Sequence, residues 1–596
     1  MSTNFGTGMD APQLDFLGDL RRTHYCGQLR AVNAGTRAVL MGWVHRRRDL
    51  GGVIFIHLRD REGVTQVVFR ADRDAALLKK AELLGAEYVI AVEGLVEQRS
   101  PDTVNPAIPT GEVELIAEKL WILNESRTPP FPMEEHVDVK EDVRLKYRYV
   151  DLRRPHMQRN IILRANVTIA MRQALSELGF LEIETPFLTR STPEGARDYL
   201  VPSRVQRGSF YALPQSPQLF KQLLMVSGFD KYFQIVRCFR DEDLRADRQP
   251  EFTQIDLEMS FPQPEQIFDV IEPVVTRACA VAGYTVTGPF PRMTYEQAMR
   301  SYGIDKPDLR LPPFHVLEGD FASLELPFAP VAIRIPNTGA LSRKERDELK
   351  AFGADRGLRV YDDLKKLDAG IVNAAQQATS AGDGDLLLLA GWRGEPKGHR
   401  PEHTFWQACG QLRLFAGQKY NDRHKLLDPT DFRFLWVVDF PMFEWDQEEN
   451  RWTAAHHPFT SVHDEDLEKL TADPARCRAK SYDLVLNGTE LGSGSIRIHR
   501  RDVQSKVFAA LGFSEDEAQR RFGFLLEGLQ YGAPPHGGIA LGLDRLVMIL
   551  AGENSLREVI AFPKTARGAD LMCDAPAPVP PRQLRELGIR LEGDIG

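Results

Sequence analysis

One stretch, residues 252–261, constrains the fold more than any other part of the chain. From Gln254 to its end apolar and polar side chains alternate without a break, which is the period of a β-strand and not of a helix. The apolar face carries Ile255, Leu257, Met259 and Phe261, and the polar face carries Gln254, Asp256, Glu258 and Ser260. We therefore expect a strand that has one face against a hydrophobic core and two carboxylates on the other.

The strand that precedes it, Tyr232–Arg240, is joined to it by a charged loop over residues 241–251. The loop holds Arg245 and Arg248 among several acidic residues, and Arg240 lies at its base. Two interpretations follow from these residues. The pair of strands is either a solvated hairpin with a charged tip, or a site in which arginines bind phosphates and carboxylates bind a metal or an ammonium group.

A second hairpin is predicted around the dipeptide Asn487–Gly488, the strongest short signal for a two-residue turn. Such a turn pairs Val485 with Glu490 and Asp483 with Gly492. Asp483 and Glu490 then lie on one face.

Gly492 and Gly494 fall on that same face, and we expect them to leave it bare for a ligand. By the same alternation Ser493 points away from it. Arg497 also falls on the opposite face, so either a bulge shifts the strand or Arg497 has a structural role.

The third group is a glycine-rich strand that runs into a helix between Tyr531 and Leu550. The apolar face of the helix consists of Leu543, Leu546, Val547 and Leu550. Arg545 lies in the first turn on another face, where a helix start favours anions. A histidine pair, His456–His457, lacks a third ligand at recognisable spacing, so hydrogen bonding is expected for it rather than zinc.

Near the N-terminus, five strand-like runs are interrupted by one helical stretch, Asp74–Glu87, after the third run. The runs are Val39–His45, Val53–Arg59, Val64–Phe69, Tyr88–Val96 and Glu112–Leu123. This order is typical of a five-stranded OB barrel. Residues 21–70 hold ten arginines against three acidic residues, a local charge of +7, which favours an anionic polymer as partner.

The whole chain has a formal net charge of −9, which argues against a protein coated with nucleic acid over its whole surface. Six cysteines without a C-x-x-C pair suggest neither a disulfide framework nor a structural zinc site. We expect neither a secretion signal nor a membrane span, and hence a cytoplasmic protein. Strands and helices alternate irregularly in the rest of the chain, which favours a mostly antiparallel α+β sheet. One helix is predicted over Ile161–Leu178 and another over Ser342–Phe352.

At these residues the chain resembles the class II aminoacyl-tRNA synthetases, and closely their aspartate-specific members of the bacterial type. Gly179–Pro186 is similar to the family's motif 1, Arg237–Glu258 to motif 2 and Gly542–Arg545 to motif 3. Ser191–Asp198 resembles the mobile loop over the amino acid, and Gln215–Lys221 the aspartate-binding segment.

The resemblance implies a multidomain α+β protein, with an N-terminal OB barrel and an antiparallel catalytic sheet interrupted by an inserted α+β domain. Motif 1 implies a homodimer. The expected boundaries are an N-terminal extension (1–20), the anticodon-binding barrel (21–123), a linker (124–160), the first catalytic part (161–307), the insertion (308–430), the second catalytic part (431–565) and a C-terminal extension (566–596).

The resemblance also implies roles for single residues. Lys221 and Arg497 would bind the side-chain carboxylate of aspartate, Asp256 and Glu194 its ammonium group. Gln218 would position the amino acid and His456 would sense its carboxylate. Arg240 would bridge the reacting carboxylate and the α-phosphate of ATP, and Arg545 would hold the γ-phosphate. The remaining implied ATP contacts are Asp241, Glu242, Gln249, Glu490, Gly542, Leu543 and Asp544, with Asp483 and Glu490 carrying Mg²⁺.

In the barrel, the resemblance implies that Phe55 stacks on an anticodon base, Gln66 hydrogen-bonds the middle base and Arg48 holds phosphate or base edges. Leu50 stands where relatives that also charge tRNA-Asn carry histidine, so we expect an enzyme specific for tRNA-Asp. The alternatives are a non-discriminating enzyme, a relative that charges asparagine or lysine, and a catalytically silent RNA-binding paralogue. The aspartate-type cations disfavour the second, and the intact set of charged residues disfavours the third.

Overall fold

The computed structural model describes residues 12–192, 196–395 and 399–592, apart from the side chain of Lys365. The chain forms two units. The first comprises Met1–Arg159 and Asp570–Cys573, and the second comprises Asn160–Ala569 and Asp574–Gly596.

Five strands close a barrel in the first unit, in the order β1-β2-β3-β5-β4. They are β1 (Arg37–Asp49), β2 (Val53–Asp60), β3 (Gly63–Arg70), β4 (Val89–Gln98) and β5 (Val113–Asn124), with helix α1 (Ala75–Glu82) between β3 and β4. Because apolar residues alternate along the strands, one side of each lines a closed core. The predicted OB order is confirmed. The predicted end of α1 at Glu87 is wrong, since Glu87 has a φ of +61°, which a helix does not accommodate.

Two short helices, α2 (Glu141–Lys146) and α3 (Arg148–Asp151), follow the barrel in the first unit. They surround the fully buried carboxylate of Asp151, which accepts hydrogen bonds from Arg144, Arg148 and Arg154. A buried carboxylate is tolerated there because three guanidinium groups replace its water shell.

The second unit is built on an eight-stranded sheet in the order β11-β16-β19-β20-β21-β10-β9-β6. All neighbours are antiparallel except β11 with β16 and β6 with β9. The strands are β6 (Leu181–Glu182), β9 (Lys231–Phe239), β10 (Glu251–Ser260), β11 (Arg292–Thr294), β16 (Phe434–Val438), β19 (Ser481–Leu486), β20 (Thr489–Ile496) and β21 (His536–Gly542). The alternating stretch thus becomes a central strand of the predicted antiparallel sheet.

The core of this unit lies between the apolar face of the sheet and three helices, α4 (Pro155–Glu177), α6 (Pro264–Val281) and α15 (Leu543–Leu550). Helix α4 begins six residues before the predicted start, because proline is well suited to a first helical position. It ends before Gly179, whose φ is +81°. The remaining elements are β7 (Leu200–Pro202), β8 (Phe210–Ala212), α5 (Gln218–Val226), α7 (Tyr295–Tyr302), β17 (Phe443–Asp446), β18 (Arg451–Ala454), α12 (Lys469–Ala472), α13 (Arg501–Ala510), α14 (Glu515–Gly528) and α16 (Pro581–Leu587).

A separate four-stranded antiparallel sheet, in the order β12-β13-β15-β14, is inserted between α7 and β16. Its elements are β12 (His315–Val316), β13 (Val331–Ile335), α8 (Arg343–Ala354), β14 (Leu358–Tyr361), α9 (Ala369–Thr379), β15 (Leu386–Trp392), α10 (Pro401–Lys419) and α11 (Asn421–His424). Ser342 caps α8 through a reciprocal hydrogen bond with Glu345. The inserted α+β domain is therefore present, with its own core. Among helices in the described ranges, none is long and apolar enough to cross a membrane.

Candidate active site

A cavity of about 450 Å³ opens on the polar side of the eight-stranded sheet, where β10, β20 and β21 lie side by side. Most of the predicted site residues line it: Gln218, Lys221, Arg240, Glu242, Gln249, Asp256, His456, Glu490, Arg497, Gly542, Asp544 and Arg545. Asp256 and Glu258 are 1% and 0% exposed, so the interpretation of β9–β10 as a solvated hairpin is wrong. The polar face of the alternating stretch forms a wall of a site.

Two cations and two carboxylates form a buried network on this wall, which we call the charge quartet: Lys221, Asp256, Glu258 and Arg497. Lys221 Nζ lies 2.6 Å from Asp256 Oδ1 and 3.1 Å from Glu258 Oε2. Arg497 grips the same Glu258 with two hydrogen bonds of 3.0 and 3.2 Å. The quartet is neutral overall and presents ammonium and guanidinium groups to a carboxylate ligand.

Burial acts on the two carboxylates with different outcomes. At Asp256 the loss of water outweighs the attraction of Lys221, so the pKa of this carboxyl is raised. At Glu258 burial also opposes ionisation, but Arg497 and Lys221 together hold the pKa below its usual range. Glu258 was missing from the predicted site residues. The available signal was its place on the same face as Asp256, two residues further along the strand.

The histidine pair lies at the edge of the quartet. Arg497 Nη1 donates to His457 Nε2 at 2.6 Å, so His457 is neutral and accepts there. His456 packs edge-on against Phe440, with ring centres 5.0 Å apart. Burial and the charge of Arg497 lower the pKa of His456 to about 4 and that of His457 further. Both rings therefore serve as uncharged hydrogen-bonding groups near neutral pH.

The predicted register of the β19–β20 hairpin is only partly correct. Val485 pairs with Glu490 as predicted, but Asp483 pairs with Ser493 and not with Gly492. The cause is a β-bulge at Leu491, which adds one residue to β20. Beyond the bulge Ser493, Ser495 and Arg497 therefore face the cavity. The bulge explains why Arg497 faces the cavity. The prediction that Ser493 points away from the ligand face is wrong.

Gly492 and Gly494 do not serve to leave the ligand face bare. A Cβ on Gly492 would lie 2.5 Å from Leu541 Cδ2, and one on Gly494 would lie 2.5 Å from Tyr482 Cε2. Close packing against β19 and β21 excludes a side chain at both positions. The predicted reason for the glycines is wrong because the bulge turns them toward these neighbours.

Asp483 and Glu490 lie on one face, as the turn predicted, and line a second cavity of about 570 Å³ beside the first. Asp483 is 5% exposed, and its Oδ1 has no hydrogen-bond partner among the residues that the structure describes. Burial and the nearby charge of Glu490 raise the pKa of Asp483 well above its usual range.

This pair fits Mg²⁺, which is usually held by one or two carboxylates together with substrate phosphates. A cation bound there would compensate the negative charge of the buried Asp483 carboxylate. Within the described ranges, no group of three or more histidine, cysteine, aspartate or glutamate side chains could hold a metal ion.

The arginines implied in ATP binding lie on the cavity wall. The Arg240 guanidinium lies over the Phe252 ring, 5.0 Å from its centre. Arg545 Nη1 donates to the backbone carbonyl of Glu490 at 2.6 Å, which ties the helix of motif 3 to the carboxylate strand. Each guanidinium group is thus held against a neighbouring group on the cavity wall.

Other implied ATP contacts have structural partners. The side-chain amide of Gln249 donates to the backbone carbonyl of Lys564 and accepts from the backbone N–H of the same residue. The Asp544 carboxylate accepts from the backbone N–H of Thr253. Leu543 lies in the core, and Asp241 lies off the cavity wall. Glu194 lies outside the described residues.

In the first unit, cross-strand pairing brings the predicted anticodon residues to one face of the barrel. Arg48 pairs with Phe55, and the neighbouring pair on that face is His57 with Gln66. Gln66 Nε2 donates to Glu114 Oε2 at 2.7 Å, a partner that the sequence did not suggest. Leu50 is 71% exposed in the turn between β1 and β2.

Comparisons with known proteins match this architecture. Residues 140–566 match the family model of class II tRNA synthetases (D, K and N), and residues 38–123 match that of the OB-fold nucleic acid binding domain. Asparaginyl-tRNA synthetase from Pyrococcus horikoshii, complexed with asparaginyl-adenylate, has the same fold, with a TM-score of 0.59 over 92% of this chain and 98% of that one, at 18% identity.

The fold and the site define a class II tRNA synthetase, and the chain belongs to that family. Among its relatives is the aspartate–tRNA(Asp/Asn) ligase of Acidobacterium capsulatum, 56% identical over 97% of this chain and 99% of the relative. Another is the aspartate–tRNA ligase of Halalkalibacterium halodurans, 52% identical over 96% and 98%. Within the family, the chain thus groups with the bacterial aspartate–tRNA ligases.

Proposed function

We propose that this protein activates L-aspartate with ATP, releasing pyrophosphate, and transfers the aspartate from aspartyl-adenylate to the 3′-terminal adenosine of tRNA-Asp. The observation that carries the proposal is the charge quartet inside the 450 Å³ cavity. Two buried cations, each already oriented by a carboxylate, suit an amino acid with an acidic side chain. The names of the bacterial relatives support the same activity.

Lys221 and Arg497 bind the side-chain carboxylate in this proposal. Asparagine would present its NH₂ group to two cationic donors and leave their charge uncompensated, so the site rejects it. Asp256 faces the α-ammonium group, and we propose that Glu194 shares this role. Gln218, whose Nε2 is buried without a partner in the described part of the chain, has a free donor to position the substrate.

Attack of the aspartate carboxylate on the α-phosphorus brings two anions together, so catalysis consists mainly of positioning and charge neutralisation. Arg240 bridges the two reacting anions, and Arg545 holds the far end of the triphosphate. Asp483 and Glu490 would hold Mg²⁺, which supplies further positive charge to the phosphates when it is bound.

Aspartate-dependent exchange of pyrophosphate into ATP tests this assignment. The wild-type protein should catalyse the exchange, and Arg240→Ala should abolish it while binding tRNA with nearly unchanged affinity. Exchange that survives in Arg240→Ala would remove the proposed role of that arginine.

We propose further that the barrel reads the anticodon through Phe55, Gln66 and Arg48, and that the enzyme is specific for tRNA-Asp. Leu50 supports the specificity because it is exposed beside this face. The names of the bacterial relatives weigh the other way, since seven of eight compared are aspartate–tRNA(Asp/Asn) ligases and one, from Halalkalibacterium halodurans, is an aspartate–tRNA ligase. Purified tRNA-Asn should be aspartylated far more slowly than tRNA-Asp. In Leu50→His the difference between these two rates should be smaller. Equal rates in the wild-type protein would refute the specificity.

A homodimer is proposed from exposed apolar residues in motif 1 and in helix α4, which precedes it. Helix α4 exposes Ile169 to 50%, and the edge strand β6 exposes Leu181 to 52%. An edge strand with apolar side chains invites pairing with a second copy.

A further inference from the structure

A lysine with no role so far lies beside the proposed metal carboxylates. Lys306 follows helix α7, and its Nζ lies 3.7 Å from Glu490 Oε2 and 3.4 Å from Asp305 Oδ2. Its side chain is 38% exposed. Lysine is cationic at neutral pH, and the two carboxylates within 4 Å of its Nζ favour that charge.

The backbone that carries Lys306 is held against the tip of the carboxylate hairpin. A Cβ on Gly488, in the turn, would lie 3.4 Å from Asp308 Cβ, so the two segments are in contact. Arg310 forms a 2.7 Å ion pair with Asp308 and donates to the Asp428 carbonyl at 2.8 Å. The segment is therefore tied at both borders of the inserted domain.

The inserted domain fixes this segment from a third direction. Arg413 of α10 is fully buried and donates to the backbone carbonyls of Asp308 at 2.9 Å, Leu311 at 2.7 Å and Pro312 at 2.6 Å. A guanidinium that spans three carbonyls leaves the chain little freedom. These contacts hold the backbone next to Lys306 against the hairpin, so the lysine stays within reach of Glu490 whether or not the ion pair is formed.

We propose that Lys306 is a positioning residue that neutralises Glu490 in the metal-free site and competes with the divalent cation for that carboxylate. The inference rests on the proposed function, because it takes Asp483 and Glu490 as the metal carboxylates. Its consequence is that the protein alone binds the metal weakly, so the metal enters mainly together with ATP, whose phosphates supply the missing negative charge.

The size of the effect follows from the exposure of the pair. Partly exposed ion pairs change equilibria by about two- to five-fold, because water screens them. Removing the lysine charge leaves Asp305, Asp483 and Glu490 with a more negative potential, so the affinity for a divalent cation should increase by this factor.

Binding of Mn²⁺ to the full-length, ATP-free protein, followed by water proton relaxation, tests the inference without any turnover. Lys306→Met should tighten Mn²⁺ binding about two- to five-fold, whereas Lys306→Arg should restore the wild-type affinity. Lys350→Met is the matched control, because Lys350 forms a similar ion pair with Asp362 inside the inserted domain, 2.7 Å long, and should change nothing.

Unchanged or weaker Mn²⁺ binding in Lys306→Met would overturn the inference. So would a gain that persists when Asp483→Asn is added, because the cation would then bind elsewhere. Pyrophosphate exchange by the wild-type protein is measured separately, so a failure of the proposed activity is distinguished from a failure of the role of Lys306.

Discussion

Glu258 is the residue whose replacement tests the charge quartet most directly. It is fully buried and is the only member that contacts both cations, Lys221 at 3.1 Å and Arg497 at 3.0 Å. Glu258→Gln keeps the size and shape of the side chain and removes one negative charge. Lys221 then keeps Asp256 as its carboxylate partner, whereas the charge of Arg497 stays buried without compensation.

The expected loss of stability follows from the effect of similar substitutions in other proteins. Removing one partner of a buried ion pair destabilises by about 3–5 kcal/mol, because the remaining charge has lost both water and partner. For a unit as long as Asn160–Ala569, an unfolding entropy of about 2.1 cal/mol/K per residue converts this into a melting temperature lower by about 3–6 °C. Saturating L-aspartate should recover part of the loss, since its side-chain carboxylate compensates the free cation.

Thermal unfolding followed by circular dichroism measures the shift, and Glu251→Gln provides the matched control. Glu251 lies on the same strand and also pairs with two cations, Arg237 at 2.6 Å and Lys564 at 2.9 Å. Its side chain is 33% exposed, so water screens both pairs and the same substitution should cost at most about 1 kcal/mol. If the two variants melt at the same temperature, burial does not control the strength of the quartet and the reasoning fails.

Two further predictions concern pH and assembly. The pKa of His456 in the folded state is lowered to about 4, so below pH 6.5 the unfolded chain binds a proton at this residue that the folded chain does not. The stability of the fold should therefore decrease as the pH falls from 6.5 toward 5. Thermal unfolding at several pH values measures this dependence, and it should be weaker in His456→Gln. Leu181→Asp should convert the proposed dimer to monomers in sedimentation experiments. Val32→Asp is the control and should leave the dimer intact, because Val32 is 86% exposed in the first unit. A dimer that survives Leu181→Asp would contradict the assignment of the β6 edge to the interface.

Features that depend on a single strand or turn could be predicted from the local sequence pattern. Alternation alone predicted β10, and the Asn487–Gly488 turn, with φ values of 49° and 83°, predicted the pair of Asp483 and Glu490 on one face. Both features depend on neighbours within a few residues. The backbone preference of the turn and the period of the strand are enough to specify them.

The position of Arg497 in the alternating pattern indicates a bulge as one of two alternatives, but the pattern neither decides between them nor places the bulge at Leu491. The bulge depends on how β20 fits between two partners at once, since Gly492 is paired with Leu484 on one side and Leu541 on the other. A single strand's pattern contains no information about that fit. For the same reason the sequence suggested the wrong purpose for the glycines, whose neighbours come from other strands.

The arrangement of the quartet explains how a protein with a net charge of −9 can bind two anionic substrates next to each other. Free buried cations would lose their water without compensation, so a site of unpaired arginine and lysine would be unstable before the substrate arrives. Pairing Lys221 and Arg497 with internal carboxylates removes this cost and also fixes the positions of both cations. In the proposed function, the substrate carboxylate would then meet donors that are already oriented. A neutral amide would gain much less from the same donors, so the interactions that stabilise the empty site would also favour aspartate over asparagine.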